Sequence, residues 1–576
     1  MLQPSLDLPI SRDISPAGPA LDGHGHGQAA SRPTGLAPYT VIALSSLWIA
    51  IACNYPLWRA LLQLHATPSL RDIGFIVVFA IAIAAVQSAL AALFAWRWTL
   101  KPFISTMLLA SAAGAYFMLS YGIVIDSTMM VNVLQTDPHE ASDLMSWRMV
   151  STLLALAGLP MAWLWRQPVR FARPARQAWH NAMTCGAGLL LAVAAILLAF
   201  QDFSSTMRNH TQLRYLINPL NSVYALGNIA AKPLRRDDSH LLPIGEDARL
   251  GASYAQQKRP PLLVLVVGET GRSGNFALNG YTRNTTPELG ARHDIATALN
   301  AWSCGTNTAA SVPCMFSHLG KEAYESRKVS YENLLDVLQR AGLGVLWVDN
   351  QAGCKGVCER VANVSTNSAE AAVQQGCTAG ECQDTVMLAS LDARIAALPQ
   401  AQRDKGVVVV LHQMGSHGPA YAKRSAEAQK HFMPECTSNA LQECTQQQLV
   451  NAYDNSIVAT DHFLNTTIDW LTARESQWTP AMVYLADHGE SLGENNIYLH
   501  GMPYAIAPDV QKHVPWITWL SPAMQARTGV QMACLQNRMR TERIHHDNYF
   551  HSVLGLMDVQ TDLRKDGLDL YSRCNI

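Results

Sequence analysis

Four short apolar runs in the second half of the chain each deliver residues able to bind a metal ion or a phosphate. PPLLVLVV (260–267) leads into Gly268-Glu269-Thr270, and GVVVVLHQ (406–413) leads into Met414-Gly415-Ser416-His417-Gly418. AMVYLA (481–486) delivers Asp487-His488-Gly489-Glu490, and GVLWV (344–348) delivers Asp349-Asn350. Glu269, Asp487 and His488 together offer two carboxylates and an imidazole, a donor set suited to a borderline divalent ion such as zinc. Gly489 is expected to let the backbone turn sharply behind the Asp-His pair. The stretch SCGTNTAASVPCMFS (303–317) supplies hydroxyls at Ser303, Thr306, Thr308 and Ser311 ahead of an expected helix, whose first amides and dipole favour a phosphate. A hydroxyl beside zinc can be deprotonated near neutral pH and attack phosphorus. Hydroxyls at a helix start also serve as caps, and spacing alone leaves all four open.

Those residues are far apart in sequence, so the fold must gather them. Val- and Leu-rich runs separated by helical stretches predict buried parallel strands in an α/β sheet. In such a sheet the ligand site lies at the carboxyl ends of the strands, where all four runs place their polar residues. Residues 257–576 are enough for one large α/β domain with its own core.

The first half is a different object. Apolar segments near 39–63, 73–96, 102–125, 149–165 and 183–201 have almost no interior charge, and each is about long enough to cross a hydrocarbon core of roughly 30 Å. A five-helix transmembrane domain over 39–201 follows. Arg97, Lys101, Arg166, Arg170, Arg173 and Arg176 fall in the loops after the second and fourth segments, which places those loops and the N-terminus in the cytoplasm. An odd number of crossings then puts the second half on the opposite side. Residues 1–38, rich in Pro, Gly, Ser and His, read as a disordered cytoplasmic tail, and 202–256 as an amphipathic linker at the membrane surface.

Cysteine usage agrees with export. Of the 12 cysteines only Cys53 and Cys185 lie in the membrane half. The others fall as Cys304/Cys314, Cys354/Cys358, Cys377/Cys382 and Cys436/Cys444, with Cys534/Cys574 as a further candidate, a disulfide pattern of an oxidising compartment. A structural zinc site is the rival reading, but the regular C-x2-C partners are missing. A net charge of −1 argues against a nucleic-acid surface.

The strings VVGETGRSGNFALNGYTRNTTP (266–287), SCGTNTAASVPCMFS (303–317), DNQAGCKGVC (349–358), LHQMGSHGPAY (411–421), NAYDNSIVATD (451–461) and ADHGESLGENNIYLHGMPYAIAP (486–508) resemble, in order, the phosphoethanolamine transferases. These inner-membrane enzymes of Gram-negative bacteria decorate lipid A and include the mobilised colistin resistance proteins. The resemblance implies five membrane helices followed by an alkaline-phosphatase-like, sulfatase-like periplasmic domain. It implies Thr308 as the nucleophile that carries phosphoethanolamine, with Glu269, Thr308, Asp487 and His488 holding one tightly bound Zn2+. His417 and His500 match histidines that hold the transferring group or a second zinc. Lys355 and Glu490 match residues lining the substrate pocket. In TMMVNVLQTDPHEA (128–141), Asn132 and Glu140 match polar positions of a loop that receives lipid.

The expected reaction moves phosphoethanolamine from phosphatidylethanolamine to a lipid A phosphate in two displacements, with polymyxin resistance as its consequence, and a monomer is expected. Three alternatives stand beside it: a transferase for another acceptor such as a core sugar or periplasmic glycan, a membrane-anchored phosphodiesterase or sulfatase that uses water, and a non-catalytic sensor.

Overall fold

A computed structural model of the protein describes residues 35–64, 67, 69–136, 138–232, 237–366, 377–378 and 381–575. The expected N-terminal tail lies outside the described residues except for its last few, which run beside 168–170 with the Leu36 N–H on the Pro168 carbonyl at 2.9 Å.

Among the described residues four helices are long and apolar enough to cross a membrane, and a fifth span is formed if the bent pair Pro38–Cys53 and Tyr55–Leu62 counts as one, its halves meeting at 48°. We label that pair α1; the others are α2 (Leu70–Leu93), α3 (Leu100–Tyr121), α6 (Trp147–Arg166) and α7 (Pro174–Leu198). Between α3 and α6 lie two short helices, α4 (Ser127–Gln135) and α5 (Pro138–Asp143). Three of the starts have a chemical reason. Pro38 occupies the first turn of α1, Ser69 and Asp72 form a capping box on α2, and the Ser146 hydroxyl accepts the Met149 N–H at α6. α2 and α7 approach closely because small residues line the contact: a methyl group on Gly188 would sit 2.8 Å from the Ala85 carbonyl oxygen.

The fifth span starts at Pro174, well before the expected 183, and takes Arg176 into the helix. Hydropathy misses this turn because it is polar for a structural purpose. Gln177 and Asn181 are buried, and both donate to the Ala95 carbonyl just past the end of α2, at 3.3 and 3.1 Å. Beyond α7 come α8 (Phe200–Asn209) and α9 (Leu220–Ala230). The turn before α9 is pinned into the membrane helices: the Asn218 N–H donates to Asn54 Oδ1 at 2.9 Å, and Asn218 Nδ2 donates to the Cys53 carbonyl at 3.1 Å.

The second half is built on a seven-stranded sheet. Its strands are β1 (Pro261–Gly268), β2 (Ile295–Thr297), β3 (Gly344–Asp349), β4 (Ala362–Ser365), β5 (Val407–His412), β6 (Thr479–Ala486) and β7 (Trp516–Leu520), in the spatial order β2-β7-β6-β1-β5-β3-β4. β6, β1, β5, β3 and β4 are mutually parallel, while β7 runs antiparallel to both its neighbours. Every residue of β1, β3, β5 and β6 is buried, as their unbroken apolar composition requires of strands covered on both faces. Helices α10 (Thr308–Met315) and α11 (Gln446–Thr472) complete the frame of the site. All five cysteine pairs form disulfides, Cys534–Cys574 among them.

Candidate active site

Sheet register decides which residues meet. Ala486 pairs with Gly268 across β6 and β1, so Asp487 and Glu269 leave the sheet side by side. His412 lies between Val267 and Asp349 in the same register, which puts the ends of β6, β1, β5 and β3 on one rim. Glu269, Asp487 and His488 are fully buried, and their ligand atoms lie within 4.8 Å of one another.

Thr308 joins this cluster from the first position of α10. Asn307 caps that helix through the Ala310 N–H, leaving the Thr308 hydroxyl to donate to Glu269 Oε2 at 3.1 Å and to lie 3.4 Å from His488 Nε2. The other candidate hydroxyls are engaged by backbone. Ser303 donates to the Gly305 carbonyl, Thr306 to the Met502 carbonyl at 2.6 Å, and Ser311 to the Asp487 carbonyl. Local geometry thus separates four hydroxyls that spacing could not.

The electrostatics of the cluster call for a cation. Burial and the adjacent Glu269 carboxylate push Asp487 up to about 7. Against its own burial, Glu269 is held below the usual carboxylate range by the His488 imidazole. Against burial likewise, Asp487 and Glu269 push His488 up to about 10. Asp487 Oδ2 is buried 3.4 Å from His488 Nε2 and has no hydrogen-bond partner among the described residues. Two crowded carboxylates, an imidazole and a hydroxyl around an unsatisfied oxygen fit a divalent ion of the zinc class, which would relieve the repulsion.

Gly489 serves differently from the expectation. Its φ is not positive; a side chain there would collide with the Val510 carbonyl oxygen, 2.0 Å from the added carbon. The left-handed position is Thr270, at φ 59°, uncommon for a β-branched residue. It is held from three sides: its N–H donates to Asp487 Oδ1 at 3.2 Å, its hydroxyl to Glu269 Oε1 at 2.6 Å, and its carbonyl accepts the Tyr453 hydroxyl of α11 at 2.7 Å.

His500 and Glu490 form a second layer. Glu490 accepts the Tyr421 hydroxyl at 3.0 Å and lies 3.2 Å from His500 Nδ1. Burial pushes Glu490 up to about 8 and His500 down to about 3. With the proton on Glu490, the carboxyl donates to Nδ1 and the imidazole keeps its hydrogen on Nε2. The His500 ring packs 4.4 Å from His488 and 5.5 Å from His417, centroid to centroid.

A cavity of about 170 Å³ opens from these histidines toward the membrane half. His417, Gly418, Leu499 and His500 line one side; Phe117, Met129, Asn132, Val133, Thr136 and Leu144 line the other. Asn132 is therefore brought to the site. Glu140 lies on α5, but its side chain is outside the described residues. Lys355 stays with its own loop at φ 50°, its ammonium donating to the Ala352 carbonyl at 3.0 Å.

Sequence reasoning missed two parts of this arrangement. His412 Nδ1 lies 3.0 Å from Asp349 Oδ2, and its buried Nε2 has no hydrogen-bond partner among the described residues. The signal was present, an Asp and a His each closing an apolar run. The second part is Asp143, buried at the end of α5, which pairs with Lys423 at 2.6 Å and Arg424 at 3.1 Å. Arg424 in turn donates to the His417 carbonyl at 2.9 Å, tying the membrane half to the site.

Comparison with known proteins agrees with this layout. Residues 83–234 match the family model for phosphoethanolamine transferase EptA/EptB, and 261–559 match the sulfatase model. The chain is 38% identical to phosphoethanolamine transferase EptA of Escherichia coli K12, over 92% of this chain and 96% of that one. It belongs to the phosphoethanolamine transferases. Another member of this family, phosphatidylethanolamine transferase Mcr-1 of Escherichia coli, is 34% identical over 92% of this chain and 97% of its own. The solved integral membrane phosphoethanolamine transferase A from Neisseria meningitidis superposes with a TM-score of 0.86 at 33% identity, covering 93% of this chain and 98% of that one. The chain thus joins N-terminal helices apolar and long enough to cross a membrane to a sulfatase-like domain, the layout of that integral membrane relative.

Proposed function

We propose that the protein transfers phosphoethanolamine from phosphatidylethanolamine to a phosphate of lipid A through a covalent intermediate on Thr308. The observation that carries this reading is the position of the Thr308 hydroxyl, between Glu269 and His488 at the rim of the sheet, near histidines that line a cavity leading to the membrane helices. Glu269, Thr308, Asp487 and His488 would hold a zinc ion, which when bound supplies positive charge that acidifies a hydroxyl and stabilises a phosphoryl transition state.

The chain's own groups account for the remainder. The apolar wall formed by Phe117, Met129, Val133 and Leu144 takes the glycerolipid end of the donor, while Asn132, His417 and His500 face its headgroup. Thr308 Oγ1 gives its proton to the adjacent carboxylate and forms a bond to phosphorus as the bond to the diacylglycerol oxygen breaks. His500, its hydrogen directed to Nε2 by Glu490, is placed to give that oxygen the proton it needs. In the second displacement an acceptor phosphate oxygen attacks the same phosphorus as its bond to Thr308 Oγ1 breaks; Thr308 takes its proton back from the carboxylate, and the acceptor phosphate's own proton goes to His500. Two in-line steps through a covalent intermediate require ping-pong kinetics.

This chemistry needs both lipids at one membrane face, which supports a multi-pass protein of the inner membrane with its catalytic domain in the periplasm. The disulfides fit that compartment. Adding an amine to lipid A weakens its attraction for cationic peptides, so polymyxin resistance follows. The test is mass spectrometry of lipid A from a polymyxin-sensitive host that expresses the native chain or Thr308→Ala. A phosphoethanolamine increment with the native chain alone supports the reading. An increment with both removes Thr308 from its role, and an increment with neither removes lipid A as acceptor.

A further inference from the structure

Two displacements on one phosphorus require two lipids of different shape, and the apolar cavity suits only the one with a small headgroup. A second, wider space lies beside it, a groove of about 720 Å³ between the start of α6 and the catalytic domain. Trp147 and Arg148 form its membrane wall; Lys423, Ser438, Asn439 and Glu443 form the other. The two spaces share the Asp143 latch. Leu144 lines the cavity and Met145 the groove, while Asp143 grips Lys423 on the groove side and, through Arg424, the His417 backbone on the cavity side.

The groove differs from the cavity in chemistry as well as width. Arg148 is exposed, and its guanidinium makes no ion pair or hydrogen bond among the described residues. Its neighbour Trp147 is 81% exposed and Met145 56%, apolar groups at the first turn of a membrane-length helix, the position where tryptophans anchor at lipid interfaces. A groove with an uncommitted guanidinium, a second cation in Lys423, hydroxyl and amide groups at Ser438 and Asn439, and an apolar lip facing the bilayer matches a lipid with a large, polar, phosphorylated head. A guanidinium is also the side chain best shaped to grip a phosphate with two hydrogen bonds.

We propose that this groove is the docking site of the acceptor glycolipid, with Arg148 gripping its phosphate group, an inference that rests on the reading of lipid A as acceptor. Glu443, whose Oε2 accepts the Ser438 hydroxyl at 2.9 Å, opposes an anion in the same space. Arg148 and Glu443 therefore act with opposite sign on acceptor affinity.

The experiment uses the full chain in detergent micelles with phosphatidylethanolamine, and follows the half-reactions separately. Donor loading is read as diacylglycerol release and the mass increment on Thr308; transfer is read as modified lipid A, with the acceptor KM measured. Arg148→Glu is expected to leave donor loading at the native level and to raise the acceptor KM about tenfold or more, the scale of losing a charge-assisted phosphate contact. Arg148→Lys, which keeps the charge and loses the paired hydrogen bonds, should raise the acceptor KM by less than Arg148→Glu does, and Glu443→Gln should lower it. A structural role for these positions would not produce opposite signs. An unchanged acceptor KM in Arg148→Glu overturns the groove, as does donor loading that falls as far as transfer does. If the native chain loads no phosphoethanolamine, or loads it and never transfers it to lipid A, the proposed reaction itself fails and the groove falls with it.

Discussion

The Asp143 latch offers a sharp test of how the membrane half serves the catalytic domain. The perturbation is Asp143→Ala, with Asp143→Asn as its isosteric companion. Lys423 is half exposed, so its pair with Asp143 contributes about 0–1 kcal/mol. The side chains of Arg424 and Asp143 are 5% and 8% exposed, and removing one partner of so buried a pair costs up to about 3–5 kcal/mol. Arg424 keeps its bond to the His417 carbonyl, which brings Asp143→Ala toward the lower end, about 3 kcal/mol. The asparagine can still present one carbonyl oxygen to Arg424, so Asp143→Asn should cost about 1–2 kcal/mol. That energy belongs to the contact between halves, because Glu269, Thr308, Asp487 and His488 are all held within the catalytic domain. At about 1.4 kcal/mol per factor of ten, the lipid-donor loading rate of Asp143→Ala should fall at least tenfold if loading requires the docked arrangement. Turnover of a small water-soluble phosphodiester, which needs Thr308 but no membrane cavity, should stay within a few-fold of native. Both rates are measured on the full chain in detergent. Equal loss of both, or an unchanged lipid rate in Asp143→Ala, would refute the reasoning.

Three further outcomes are expected. Thr308→Ser should still acquire a phosphoethanolamine mass increment from donor lipid and Thr308→Ala should acquire none, as read by intact-protein mass spectrometry; an increment on the alanine variant would move the nucleophile elsewhere. Chelation should abolish loading and lower the unfolding temperature, since an ion held only by the folded state at a hundredfold its Kd contributes about 2.7 kcal/mol, and zinc should restore both; unchanged stability and loading under chelation would count against a metal. Asp461, buried in α11, is pushed up to about 7 by burial even though it accepts the Glu288 and Leu289 N–H groups. A carboxyl raised in the folded state contributes stability fully present below its unfolded value near 4, and lost as pH rises through 7. Unfolding temperatures across pH 4–8 should therefore fall more steeply for the native chain than for Asp461→Asn, and parallel curves would show that the two N–H donors outweigh burial.

The catalytic half was largely legible from sequence because its chemistry sits where periodicity is informative. A strand buried on both faces must be apolar throughout, so the first polar residues after β1 and β6, Glu269 and Asp487, mark the rim of the sheet without ambiguity. The same logic reached Asp349 and stopped short of His412, because nothing linear shows that those two strands are neighbours in register. The choice among Ser303, Thr306, Thr308 and Ser311 was closed to sequence for a similar reason: three of the hydroxyls bond to backbone carbonyls, two of them at Met502 and Asp487, far along the chain. Gly489 was read as a turn when it is a point of close approach, and only the position of Val510 distinguishes the two.

The contact between halves left less trace, and the reason is physical. Asp143 sits in ASDLMSW, a stretch whose single acid looks like any solvated loop charge; its meaning comes from Lys423 and Arg424, about 280 residues away. An ion pair between halves needs only one residue on each side and therefore imposes no periodicity. Yet this contact sets the 417–424 segment, and with it His417, against α5. The chemistry at the strand ends can be formed by the catalytic domain alone. What the membrane helices add is two spaces beside the site, an apolar cavity walled by α3, α4 and Leu144, and a groove opening at α6 that holds Arg148 and Lys423. In the proposed reaction Thr308 would carry the group between displacements, so that a single site would serve two dissimilar lipids in turn, each approaching the same phosphorus from its own side of the latch.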